Sequence, residues 1–169
     1  MKFLKQLTRA AAGSYSSVMT RAEDGELPIQ TGALPWRLAG KDGIEVLLVT
    51  GRRSGRWSIP KGWPMLGKSL AEAAEQEAFE EAGVRGTIHP NPVGSFRHIK
   101  QQLTTDNLEV SVVVHSLWVD RELPKWPELG QRKRRWFKPK DAAKRVESPE
   151  LRAMILEMLN ASRGGFVTQ

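Results

Sequence analysis

Apolar and polar positions along the chain fall into short β-type runs separated by one long segment of helical spacing. IEVLLVT, Ile44 to Thr50, is rich in β-branched residues and reads as a buried strand. LEVSVVVHSLWV, Leu108 to Val119, is apolar on both faces, which predicts a central strand covered on each side. The stretch from Pro28 to Arg37 is mixed and extended. WSIP is a short strand stopped by Pro60, and RGTIHPNPVGSFRHIK is a strand with interruptions. RKRRWFKP leads a basic cluster into another short strand. PKDAAKRV and SPELRAMILEMLNAS read as helices; in the second, Ser148 is the cap and Pro149 takes the first helical position.

The strongest helix spans Leu70 to Ala82. Ser69 is a good N-cap with Glu72 three residues on, the spacing of a capping box. The interior has no Gly or Pro, and Gly83 is placed to stop the helix. Ala71, Ala74, Ala78 and Ala82 form a stripe of small residues that lets this helix lie close to a sheet. Strands and helices mixed in this way predict an α/β fold, an α/β/α sandwich around a mixed sheet. The expected organisation is a basic extension over 1–26, one domain over 27–162 and a tail over 163–169.

Composition changes the picture in three ways. The chain has 169 residues, 40% hydrophobic and 27% charged, with six tryptophans, which fits a single globular domain with a sizeable core. Cysteine is absent, which excludes disulfides, thiolate catalysis and cysteine-based metal sites and leads us to expect a reducing, cytoplasmic setting. The net charge is +7, so phosphate-rich partners are favoured. The apolar runs are too short to span a bilayer, and no membrane role is expected. The first acid is Glu23; the segment before it is read as a basic extension, with organelle targeting as the alternative.

Against this basic background the helix carries Glu77, Glu80 and Glu81 at i, i+3 and i+4, on one face. A solvated acidic face is the plain explanation, but such faces gain support from Lys or Arg one turn away. The helix interior contains none; Arg85 beyond its end could reach Glu81. The other explanation is a divalent cation. Carboxylates without His or Cys suit Mg²⁺ or Mn²⁺ rather than zinc.

The stretch PKGWPMLGKSLAEAAEQEAFEEAG resembles the Nudix box, Gly-x5-Glu-x7-Arg-Glu-U-x-Glu-Glu-x-Gly-U, where U is bulky and apolar. Gly62 opens it, and Glu77, Ala78, Glu80, Glu81, Gly83 and Val84 fall in its closing positions. Lys68 and Gln76 replace a Glu and an Arg thought to steady the loop by a salt bridge, which points to a loop stapled in another way; Ala78 is smaller than usual. The resemblance implies a Nudix fold and a metal-dependent hydrolase that cleaves a diphosphate linkage by attack of water. It implies Gly62 (through its carbonyl), Glu77, Glu80 and Glu81 as metal ligands, with Glu80 as the candidate base.

Cations flank the box in three groups: Arg52, Arg53 and Arg56 with Lys61; Arg97, His98 and Lys100; Arg132, Lys133, Arg134 and Arg135. All but Lys100 and Arg135 are expected to bind substrate, since Arg suits bidentate phosphate contact. GRRSGRWSIPKG, EEAGVRGTI and RKRRWFKPKDA are similar to the branch that hydrolyses diphosphoinositol polyphosphates and diadenosine polyphosphates, over roughly 32–159. The expected substrate is therefore one of these phosphate-rich small molecules, acted on by a monomer or homodimer. The alternatives are a nucleoside triphosphate or RNA 5′-pyrophosphohydrolase, with RNA as partner, and a Nudix domain that binds polyphosphate without turnover. Trp63 and Trp36 are unplaced as stacking surfaces; Trp57 and Trp136 are expected in the core. His115 reads as a core residue and His98 as a phosphate contact.

Overall fold

The structure is a computed structural model that describes residues 26–41, 43–101 and 107–163. The basic extension expected over 1–26 lies outside the described residues except for Glu26, and the tail expected over 163–169 except for Arg163. The elements run β1 (Ile29–Ala39), β2 (Gly43–Thr50), β3 (Trp57–Ser58), β4 (Lys61–Gly62), α1 (Leu70–Ala82), β5 (Val84–Ile88), β6 (Gly94–Lys100), β7 (Leu108–Glu122), β8 (Arg134–Phe137), α2 (Pro139–Arg145) and α3 (Pro149–Arg163). They form a mixed eight-stranded sheet between two helical layers, the expected sandwich.

Two long strands organise the sheet. β7 pairs in parallel with β1 from Ile29↔Ser111 to Trp36↔Trp118. Its other edge is shared: β6 pairs with its first half and β5 with its second. The interrupted run after α1 is thus two strands laid end to end on one neighbour. β1 is shared in the same way, by β2 at Trp36–Ala39 and by β4 at Thr31 and Gly32. β4 lies inside the segment expected to be loop; two residues are too few to show a period in sequence.

Alternation on the central strands fills both faces. On one, Leu34, Val46, Leu48, Val110, Val112 and Val114 pack against α2 and α3 through Ala142, Ala143, Leu151 and Ile155. On the other, Ala33, Leu47, Val49, Leu117 and Val119 meet Ala74, Ala78 and Ala82 of α1. Burying a Leu or Val side chain contributes roughly 1.5–3 kcal/mol, and these are fully or almost fully excluded from solvent. The alanine side gains less area per residue but brings α1 down onto the strands. Ser69 and Glu72 form the reciprocal capping box, with Ser69 N–H donating to the Glu72 carboxylate at 2.6 Å. Thr31 Oγ1 donates to the Leu70 carbonyl at 2.7 Å, tying the helix start to β1. At the other end Gly83 is left-handed, φ 63°, and the Trp126 ring lies where a Cβ would stand, so only glycine fits.

Candidate active site

A cleft of about 940 Å³ opens where the loop after β2, the turn into β4, α1, β6 and the start of α3 converge. Glu77 and Glu81 line it from α1. One turn apart, they lie about 40° from each other around the helix axis, and both are nearly inaccessible, at 1% and 5% exposure. The Glu77 carboxylate sits directly against the α-carbon of Gly62: a Cβ there would overlap two of its heavy atoms and stand 2.8 Å from Oε2. The Gly62 backbone and this carboxylate therefore share one small space that any side chain would fill.

Glu81 is held from two sides. The Lys61 backbone N–H donates to Oε2 at 3.3 Å, and Arg132 Nη2 donates to Oε1 at 2.7 Å. Arg132 also donates from Nε to Glu128 at 2.7 Å and from Nη1 to the Thr50 carbonyl at 3.1 Å. Its guanidinium is a buried bridge between two carboxylates, the side chains of Arg132, Glu81 and Glu128 being 11%, 6% and 3% exposed. A bridge with this many hydrogen bonds offsets the desolvation of its charges and holds Glu81 in one orientation. Glu128 went unrecognised in the sequence because it lies in a Pro-broken loop with no periodicity; its spacing of four from Arg132 was the available signal.

Two buried carboxylates one turn apart beside a bare backbone form an all-oxygen donor set that fits a hard divalent cation. Glu77, Glu81 and the Gly62 carbonyl are the groups able to hold one. The structure sets Glu80, expected to join them, apart from this pair. Glu80 does not line the cleft, and among the described residues no three His, Asp or Glu side chains gather as a metal cluster. It lies about 60° around the axis from Glu77, on the flank. There Gln76 Nε2 donates to its carboxylate at 2.9 Å, and the Glu128 N–H donates to its backbone carbonyl at 3.1 Å. The Arg85 suggested for Glu81 stacks on Phe79 instead, 3.8 Å from the ring centre. The altered box positions are not stapled to each other: Lys68 is exposed, and Gln76 serves Glu80.

A Nudix domain model matches residues 27–158. The chain belongs to the Nudix family. Among curated relatives, Nudix hydrolase 12, mitochondrial, of Arabidopsis thaliana is 30% identical over 134 residues, covering 70% of this chain and 66% of that protein. Nudix hydrolase 16, mitochondrial, of the same plant is 29% identical over 150 residues, covering 81% and 82%. The match thus spans just under two thirds of the first relative and more of the second. The fold matches a C. elegans Ap4A hydrolase in a binary complex, with a TM-score of 0.60 and 24% identity, covering 82% of this chain and 98% of that one. The curated relatives of this Nudix protein are named as hydrolases. No helix among its described residues is long and apolar enough to cross a membrane.

The Nudix cleft gathers seven of the nine cations expected to bind substrate. Arg52, Arg53, Arg56, Lys61, Arg97, His98 and Arg132 line it, joined by Lys100. Several have protein partners as well: Arg56 pairs with Glu147 at 3.1 Å and Arg97 with Glu109 at 3.4 Å, both exposed. Lys133 and Arg134 are corrections. The run 132–135 straddles the start of β8: Arg132 and Lys133 precede the strand, and Arg134 and Arg135 lie in it. Lys133 is exposed and uses its backbone to bind Thr50. Arg134 turns to the end of α1, donating to the carbonyls of Ala82 at 2.7 Å and Leu123 at 3.3 Å, with Trp126 stacked 3.9 Å from its guanidinium. It closes the helix end rather than meeting substrate. Trp36 lies outside the cleft, its Nε1 donating to Ser116. Trp57 and Trp136 are half-buried, Trp57 edge-on to Phe137 and lining the cleft, Trp136 beneath Arg37. His115 is buried on β7, with Nδ1 3.0 Å from the His89 carbonyl.

Burial and neighbouring cations tune the basic wall. His98 is pushed down to about 4, by burial first and then by Lys61 and Lys100, so its imidazole is neutral at pH 7. Lys100 is pushed down to about 8 for the same leading reason, with Lys61 next. Lys61 is also lowered, chiefly by burial.

Proposed function

We propose that this chain is a divalent-metal-dependent pyrophosphohydrolase that opens a phosphoanhydride of a diphosphoinositol polyphosphate or a diadenosine polyphosphate. The observation that carries the reading is one cleft with two buried carboxylates at one wall and a field of Arg and Lys around them. Glu77, Glu81 and the Gly62 carbonyl would hold Mg²⁺ or Mn²⁺. Bound there, the cation lowers the pKa of a water and neutralises charge on phosphoryl oxygens. The protein's own part is placement, which dominates phosphoryl transfer. Arg132 keeps Glu81 turned into the cleft; Arg52, Arg53 and Lys61 take phosphate oxygens, and neutral His98 offers an N–H. Glu80, on the flank with Gln76, supports the helix and the 123–133 loop rather than taking a proton. The structural likeness to an Ap4A hydrolase supports the fold, and the surplus of cleft cations supports a substrate with several phosphates.

A substrate panel with Mg²⁺ or Mn²⁺ tests this, using diphosphoinositol polyphosphates, diadenosine polyphosphates, nucleoside triphosphates and 5′-triphosphate RNA, with Glu81→Gln beside the wild type. Turnover of the first two classes, lost in the variant, supports the reading. Turnover confined to triphosphates or RNA keeps the metal chemistry and rejects the substrate. Polyphosphate binding without turnover makes the domain a binding module.

A further inference from the structure

Gln30 brings to the cleft an amide that the protein itself does not use. It lines the cleft from β1 and is only 3% exposed. Neighbours on a strand point to opposite faces. Thr31 Oγ1 donates to the Leu70 carbonyl on the α1 side, so Gln30 turns to the other face. There it stands in a row across the sheet. Val112 lies beside it on β7, and Phe96 lies beyond on β6. On its other side the pairing of Thr31 with Gly62 brings Trp63 next in line. Val112 and Phe96 are buried, Trp63 is half-buried, and both aromatic residues line the cleft. Among the described residues the Gln30 side chain has no hydrogen-bond partner, and neither of its amide atoms is fully enclosed. A buried amide ordinarily satisfies both its NH₂ group and its carbonyl. With apolar neighbours in its row, Gln30 can take that partner from the cleft. The chemistry of the partner is constrained. A phosphate brings acceptors alone and would leave Oε1 facing negative charge. A nucleobase edge sets a donor beside an acceptor and pairs with both amide atoms at once, as Gln does with adenine.

We propose that Gln30 is a specificity-determining residue that reads a nucleobase edge, so that the cleft selects a nucleoside-capped polyphosphate such as a diadenosine polyphosphate. A diphosphoinositol whose ring hydroxyls are all phosphorylated offers acceptors alone and leaves the Gln30 carbonyl without a partner. The inference deepens the hydrolase reading and rests on it for the bond that is opened.

The test is calorimetry with diadenosine tetraphosphate and inorganic tetraphosphate, which share one length of phosphate chain, in EDTA so that neither is cleaved. ATP beside ribose 5-triphosphate separates base from sugar, and thermal melting without ligand runs alongside. Wild type binds diadenosine tetraphosphate. Gln30→Met weakens that binding about ten- to a hundredfold, the range for a bidentate base contact, and leaves tetraphosphate unchanged. The variant melts at or above wild type, because a buried amide without a protein partner has gone. Lys140→Met, at an exposed position of α2, changes none of these quantities. A wild type that does not bind diadenosine tetraphosphate overturns the proposal. So does a Gln30→Met protein that keeps its affinity, one that loses both ligands alike, or a loss that ribose 5-triphosphate shares with ATP. Failure of the hydrolase reading looks different: diadenosine tetraphosphate binding still depends on Gln30, while no substrate turns over with metal.

Discussion

Gly62→Ala places a methyl group where the Glu77 carboxylate now lies. The built Cβ stands 2.8 Å from Oε2 and closer still to the other two carboxylate heavy atoms. The position carries no left-handed backbone, so any cost comes from this contact and not from strain in φ. Glu77 is 1% exposed on a helix packed against the sheet, so its carboxylate must swing by an ångström or more. Overpacking of this size costs about 1–3 kcal/mol, or a fall in Tm on the order of 4–10 °C for a domain of this size. Misplacing a group at the reacting centre by about 1 Å can cost about a hundredfold in rate. The expected result is a folded protein with a lower Tm and kcat reduced about a hundredfold at saturating Mg²⁺. Adding Glu77→Asp shortens the acid, recovers most of the melting temperature and leaves activity low. Differential scanning calorimetry and steady-state turnover read both quantities. A Gly62→Ala protein that melts within a degree of wild type and keeps full kcat refutes the argument, because the carboxylate is then not seated against Gly62.

Arg132→Met leaves the Glu81 and Glu128 carboxylates buried without their shared cation, and it is expected to cost about 3 kcal/mol or more in urea unfolding. Glu128→Gln added to it should cost less than the two single changes summed. Arg134→Ala should lower Tm with KM unchanged, since its partners are the Ala82 and Leu123 carbonyls and Trp126. Arg53→Ala should do the reverse, because Arg53 is exposed and lines the cleft. His98 titrates lower in the folded than in the unfolded chain, so the unfolded state takes up its proton first. Stability therefore falls as pH drops from about 6.5 towards 4 and levels below, and His98→Asn flattens that part of the Tm-against-pH curve.

Local chemistry was legible in the chain wherever neighbours in sequence are neighbours in space. The capping box of Ser69 and Glu72, the left-handed stop at Gly83 and the alanine stripe depend on contacts within a few residues, and each stands as read. So does the pair Glu77 and Glu81, one turn apart and facing one way. Glu80 and the run 132–135 resisted the same treatment because their direction depends on distant partners. Three carboxylates at i, i+3 and i+4 share a helix face in projection, but the middle one lies on the flank, where Gln76 donates to it. Four consecutive cations look like one patch in sequence, yet Arg132, which precedes β8, bridges Glu81 and Glu128 beside the cleft, while Arg134, the first residue of β8, reaches the end of α1. By itself the sequence determined the helix, its acids and the fold they belong to, since periodicity and capping act over single turns. Which charges meet in the cleft was decided only by tertiary structure, which brings together groups such as Thr50 and Arg132, 82 positions apart, and Arg56 and Glu147, 91 positions apart.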